Sequence, residues 1–207
     1  MTAGVFTPDG KLVVTAGGDK SIRIWDAATA REVKKISDQV GAVRSIAISG
    51  DGTRLISAGD NSLDVWDLAT GKGTQSWKTP SPSRQIALSK DGKRAVSAGK
   101  DVYVWDVETG KLVKTLEPIG KDALSVALSP DGRRIASGAS DGRVYLWDLE
   151  SGALLTTLAD GKGPVEAVAF SPTGRYLLTA GGGDKPGDEY VVRRFDLLSV
   201  DSRAGEK

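Results

Sequence analysis

The dipeptide Trp-Asp recurs at Trp25-Asp26, Trp66-Asp67, Trp105-Asp106 and Trp147-Asp148, and a variant, Phe195-Asp196, follows. The spacings are 41, 39, 42 and 48 residues. A second marker keeps step. Asp9-Gly10, Asp51-Gly52, Asp91-Gly92, Asp131-Gly132 and Thr173-Gly174 stand 42, 40, 40 and 42 residues apart. Two independent markers in register identify about five copies of one unit.

Each copy reads as four short strands. In the fourth copy, residues 125–129 form a short apolar run, and Pro130-Asp131-Gly132 supplies a tight turn. Gly tolerates positive φ there, and Asp can bond the backbone ahead. Residues 134–138 make a second strand, and Ser140-Asp141-Gly142 turns again. Residues 143–147 alternate with high β propensity. Ser151-Gly152 then turns into a last run at 154–158. No stretch keeps a helical period, so the expected class is all-β.

A four-stranded unit of about 40 residues with a Trp-Asp dipeptide resembles the WD-repeat β-propeller family. The resemblance covers residues 2–196. It implies four-stranded antiparallel blades packed face to face around a central channel. About five blades are expected, at roughly 1–40, 41–80, 81–120, 121–162 and 163–197, with a C-terminal tail at 198–207. The family often ties each blade with a tetrad of Trp, Ser or Thr, His and Asp. The resemblance puts the hydroxyl at Thr15, Ser57, Ser97, Ser137 and Thr179, and the turn carboxylate at Asp19, Asp60 and Asp141, with Asp101 a looser match. The His is missing throughout; its place falls to Gln39, Pro80, Ile119 and Gly161. Each turn Asp then needs another donor, a backbone N–H or water.

WD-repeat propellers usually close with seven or eight blades, and the last blade here reads as three strands. An incomplete end blade exposes a strand edge and an apolar face, which invite pairing. The expectation is therefore an incomplete or open propeller: a fragment of a longer one, a chain completed by self-association through its end blade, or an irregular five-bladed ring.

Composition narrows the chemistry. The 207 residues contain no Cys and no His, which excludes disulfides, thiolate or imidazole ligands, and Ser-His-Asp or Cys-His catalysis. Lys plus Arg is 28 against 27 for Asp plus Glu, so no global charge favours nucleic acid or an anionic membrane. No apolar stretch approaches a membrane span, and the first residues lack the basic and apolar regions of a signal peptide, so the cytoplasm is the expected compartment. Ser-Pro-Asp-Gly turns without Gly-His give the repeats a bacterial look.

Gly71-Lys72 and Gly110-Lys111 are not phosphate loops, because Trp66 and Trp105 stand where a Walker motif needs Gly. The insertion at 181–189, with Asp184, Asp188 and Glu189, reads as a solvated hairpin tip, since its spacing does not match the EF-hand loop and Lys185 would repel the ion. The other carboxylates recur in every unit and read as repeat structure, whereas a catalytic residue departs from the repeat. Neither a cofactor nor a metal is expected, and the chain reads as a non-enzyme. Trp77 aligns with Ile36, Leu116 and Leu158 and reads as a bulkier core residue.

The resemblance also implies a partner-facing rim just inside the first strand of each unit. That position holds Thr2, Arg44, Arg84, Leu124 and Glu166. Lys20, Asn61 and Lys100 belong to loops of the same rim. Arg44 and Arg84, from adjacent units, would form a basic patch for a carboxylate or acidic peptide. The expected function is a non-catalytic scaffold binding a protein or peptide. A structural or regulatory segment of a larger, even enzymatic, protein is the alternative, and a carboxylate-based propeller hydrolase a remote one.

Overall fold

A computed structural model describes residues 1–37, 41–116, 121–159, 163–182 and 190–197. Gln39, Ile119, Gly161, residues 183–189 of the insertion and the tail at 198–207 lie outside these residues. Every regular element among them is a strand. Blade 1 comprises β1 (Ala3–Phe6), β2 (Leu12–Ala16), β3 (Ile22–Asp26) and β4 (Glu32–Ile36). Blade 2 comprises β5 (Ser45–Ile48), β6 (Arg54–Ala58), β7 (Ser62–Asp67) and β8 (Gly73–Lys78). Blade 3 comprises β9 (Gln85–Leu88), β10 (Arg94–Ala98), β11 (Val102–Asp106) and β12 (Leu112–Leu116). Blade 4 comprises β13 (Ala123–Leu128), β14 (Arg134–Ala139), β15 (Arg143–Asp148) and β16 (Leu154–Ala159). Blade 5 comprises β17 (Val165–Phe170), β18 (Tyr176–Gly181) and β19 (Val191–Asp196). Each blade is a meander in chain order, and the fifth has three strands among the described residues.

The first turn of each blade is built the same way. Its Gly sits at positive φ: 71° at Gly10 and Gly52, 69° at Gly92, 68° at Gly132 and 72° at Gly174. Two residues before the marker Asp stands a hydroxyl. Ser49 Oγ donates to Asp51 at 2.5 Å while accepting the Arg54 N–H at 3.0 Å. Ser89 with Asp91 and Ser129 with Asp131 repeat the pattern. The Ser49 hydroxyl, followed by the Thr53 N–H and hydroxyl, holds the Asp51 carboxyl at about 2, below the usual 3.8.

Inside the blades, the front face carries the repeat Trp. Its indole donates to the preceding strand: Trp25 to Thr15 Oγ1 at 2.8 Å, Trp66 to Ser57 and Trp105 to Ser97 at 3.0 Å, and Trp147 to Ser137 at 3.1 Å. In blades 2, 3 and 4 a buried hydroxyl and a buried N–H thus satisfy each other, while the pair in blade 1 is partly exposed. Blade 5 breaks the pattern, because Phe195 has no N–H. Thr179 Oγ1, 1% exposed, is left without a partner. Phe195→Trp restores the donor, and the expected gain is about 1 kcal/mol, the net value of one buried hydrogen bond. Urea denaturation should show a higher midpoint; a lower one would mean the added ring does not fit.

The chain divides into two compact units. The first is Met1–Ser97 with Trp105–Val113, and the second is Ala98–Val104 with Lys114–Lys207. In the first unit, the back of blade 1 packs Val14, Ile24 and Ile36 against Leu55, Trp66 and Leu68 on the front of blade 2. In the second, the back of blade 4 packs Ala136, Val144 and Leu146 against Val165, Leu177 and Leu197 on the front of blade 5. Hydroxyls at one-repeat spacing bridge neighbours. Thr2 Oγ1 donates to Val43 O at 2.6 Å, Ser45 Oγ accepts the Ile86 N–H at 3.2 Å, and Ser125 Oγ donates to Val165 O at 3.1 Å. Thr2, one of the rim positions, is thereby committed to holding blades together.

The back of blade 5 is open. Leu178 is 43% exposed, whereas its equivalents Val14, Ile56, Val96 and Ala136 are fully buried. Val192 is 72% exposed, in the place of Ile22, Leu63, Val102 and Val144. Arg194 pairs with Leu178 across the ladder and stands where the other blades have Ile24, Val65, Val104 and Leu146.

Candidate functional site

The recurring carboxylates are occupied by their own turns. In the Trp-Asp dipeptides, Asp26 Oδ1 accepts the Thr29 N–H and hydroxyl at 2.8 and 2.7 Å. Asp67 does the same with Thr70, Asp106 with Thr109 and Asp148 with Ser151. These bonds hold all four carboxyls below their usual range. Each of these Asp residues therefore shapes the hairpin into the fourth strand. Among the described residues, no three Asp or Glu side chains gather as a metal site would require.

The turn Asp residues find side-chain donors in place of the missing His, and Asp19 and Asp141 also accept a backbone N–H, as the sequence suggested. Asp19 accepts the Ser21 hydroxyl at 2.9 Å along with its N–H at 3.2 Å. Asp141 accepts Tyr145 OH at 2.9 Å and the Arg143 N–H at 3.1 Å. Tyr103 OH reaches Asp101 at 3.3 Å. Asp60 takes its donor from Arg44, Nε at 2.8 Å and the terminal nitrogen at 2.7 Å.

That last bond changes the reading of the candidate patch. Arg44 precedes β5, and its guanidinium already holds a carboxylate of its own blade. Both side chains of the pair are nearly half exposed. Beside them lies a small depression of about 100 Å³, lined by Gly41, Ala42, Gly59, Asp60, Asn61 and Ser62, among others. Asn61 is exposed on the β6–β7 turn, and its carbonyl accepts the Thr79 N–H at 3.2 Å. The structure thus brings Arg44, Asp60 and Asn61 together. Lys20 is exposed on the β2–β3 turn with φ of 62°, a conformation that favours glycine. Arg84 is exposed just before β9, in the same unit as Arg44. Glu166 is exposed on β17 in the second unit.

Trp77 is core, as its alignment suggests, and does more than fill space. It stacks on Trp105 of the next blade with ring centroids 6.1 Å apart. Its indole donates to Gln75 Oε1 at 2.8 Å, and Gln75 Nε2 reaches Glu108 O at 3.2 Å. A side chain at Gly110 would land on the Trp77 indole.

Sequence reasoning missed a concavity on the first blade. A cavity of about 690 Å³ opens on the front of blade 1, lined by Val13, Thr15, Asp19, Arg23, Trp25 and Ala27, among others. A signal for it was present in the repeats. After each Asp of the Trp-Asp or Phe-Asp pair stand Leu68, Val107, Leu149 and Leu197, but Ala27 in the first unit. Three residues further on stand Gly71, Gly110 and Gly152, but Ala30 in the first unit. Ala30 keeps the glycine-like φ of 56°.

The WD40 family model (WD domain, G-beta repeat) matches residues 2–26, 31–67, 110–148 and 152–185, roughly two-thirds of the chain. A stretch of 53 residues is 36% identical to an uncharacterized WD repeat-containing protein of Synechocystis sp., and one of 48 residues is 42% identical to eukaryotic translation initiation factor 3 subunit I of Culex quinquefasciatus. These stretches are 25% and 23% of this chain and span 15% of each relative. Among solved structures, the Cps50 (Swd1) β-propeller domain of Myceliophteria thermophila superposes with a TM-score of 0.80 at 17% identity, over 96% of this chain and 72% of that one. The fold is therefore that of a β-propeller, all-β and built of antiparallel blades.

Proposed function

Because the chain belongs to the WD40 repeat family, we propose that it is a non-catalytic scaffold whose first unit binds a protein or peptide partner carrying carboxylates. The observation that carries this reading is the Arg44–Asp60 pair. A half-exposed ion pair is screened and contributes little stability, about 0–1 kcal/mol. An incoming carboxylate can therefore replace Asp60 on the Arg44 guanidinium at small cost, and the fork geometry favours two parallel hydrogen bonds. The depression at Gly59, Asp60 and Asn61 gives an extended segment a place to lie, and the rim stands on strands that are tightly packed. Arg84, one repeat further on, supplies a second cation, and Lys20 a third on the first blade. The recurring Asp residues, held by their turns, are structural in this reading.

Immobilised peptides rich in Asp and Glu, compared with their Asn and Gln counterparts, test the proposal. The acidic set should be retained and released by salt. Arg44→Glu with Arg84→Glu should weaken retention at least about tenfold, the loss of one charge-assisted contact, with an unchanged melting temperature. A wild-type chain that retains no acidic peptide, or a double variant that retains them equally, would overturn the reading.

A further inference from the structure

We propose that this chain associates head to tail, with the open back of blade 5 in one copy seated on the open front of blade 1 in another. Within each unit the same contact is already made: back on front, blade 1 on blade 2 and blade 4 on blade 5. The intermolecular contact continues that packing. Two further surfaces take no part in these contacts. One is the front of blade 1, with its cavity beside Trp25. The other is the back of blade 5, where Leu178 and Val192 are exposed at positions buried in every other blade.

The two surfaces depart from the repeat in complementary ways. In the internal contacts, the fourth strand of one blade lies on the turn glycine of the next. A Cβ at Gly71 would come within 2.8 Å of Lys34 Cδ on β4, and one at Gly152 within 3.1 Å of Lys114 Cδ on β12. Blade 1 has Ala30 at this turn, so its front does not suit a neighbour that brings a fourth strand. Blade 5 brings three strands among the described residues. Ala27, in turn, leaves room where the other fronts carry Leu or Val. The back of blade 5 carries Arg194, a longer side chain, where the other backs carry aliphatics. Arg194 and Arg175 both lie over the Tyr176 ring, at 4.8 and 5.0 Å from its centre. Carboxylates stand in the cavity wall at Asp19 and Asp26. Asp19 is more than half exposed, its only ion pair being with Arg23 at 3.3 Å among the described residues. A cation on an apolar face thus meets an apolar cavity edged with carboxylates.

A head-to-tail contact uses two different surfaces, and this gives a decisive test. Arg194→Glu blocks the back and Ala27→Trp blocks the front. Both positions are exposed, so each variant should melt like the wild type. Val192→Asp and Ala27→Arg are independent blocks if either fails to fold. By light scattering after size exclusion, up to on the order of 100 μM, the wild type should gain mass with concentration. Each variant alone should stay at the monomer mass. A 1:1 mixture of the two should give twice that mass and no more, because each copy keeps one usable surface. A wild type that stays monomeric, a variant that still assembles, or a mixture that stays monomeric would each overturn the proposal.

Discussion

Trp105→Ala should lower the unfolding free energy by about 3–5 kcal/mol, the range for deleting a buried aromatic. Three losses combine. The ring is 2% exposed, so its apolar area is fully removed from water. Its stack on Trp77 disappears, which uncovers the outer strand of blade 2 as well. Ser97 Oγ, completely buried, loses the indole donor at 3.0 Å. Because domains of this kind are stable by only about 5–15 kcal/mol, one substitution removes a large share of the total. Trp25→Ala is the internal control. Trp25 has the same hydroxyl partner in Thr15, but its other side faces the cavity. In dilute protein its loss should be clearly smaller. Equal midpoint shifts in urea for the two variants would mean that contact between blades is not what makes the repeat Trp stabilising.

Gly138→Ala should also destabilise, by about 1–3 kcal/mol as for an overpacked core, although it makes the unit more like its siblings. The equivalent positions are Ala16, Ala58, Ala98 and Ala180. Replacing Gly in a strand ordinarily gains about 0.5–1 kcal/mol, because the unfolded chain has less freedom to lose. Here the space is already taken. A Cβ would approach Val165 Cγ1 to 2.6 Å and the Val165 carbonyl oxygen to 2.7 Å. A backbone oxygen cannot rotate away, and it is the acceptor of the Ser125 hydroxyl. The wedge would therefore push blade 5 off blade 4, and the packing cost should exceed the entropic gain. A raised urea midpoint would show that the two blades separate easily enough to admit a methyl group.

Residue pairs whose spacing repeats were legible from the sequence. The Trp-to-hydroxyl pairs at Thr15, Ser57, Ser97 and Ser137 could be read through the resemblance to WD repeats, whose tetrad implies both partners, and the structure sets them on paired strands. The core role of Trp77 could be read from its alignment with Ile36 and Leu116. Its stack on Trp105 could not, since that contact spans 28 positions between blades. Asp60 stood out as a turn carboxylate lacking its His, and Arg44 stood out as a rim cation. That each answers the other depends on how the end of the β6–β7 turn folds back toward β5, which no spacing encodes. The cavity escaped notice because small residues at Ala27 and Ala30 look unremarkable one at a time. Their meaning lies in what the other units carry at the same places.

The hydroxyl bridges at one-repeat spacing have a consequence for how the molecule opens. Most strand amides are tied to their own sheet, so their exchange with deuterated solvent follows the melting of that sheet. The Ile86 amide is different: it is held by the Ser45 hydroxyl of the preceding blade. Its deuterium uptake reports the parting of two intact blades, an event that leaves every ladder unbroken and is silent to circular dichroism.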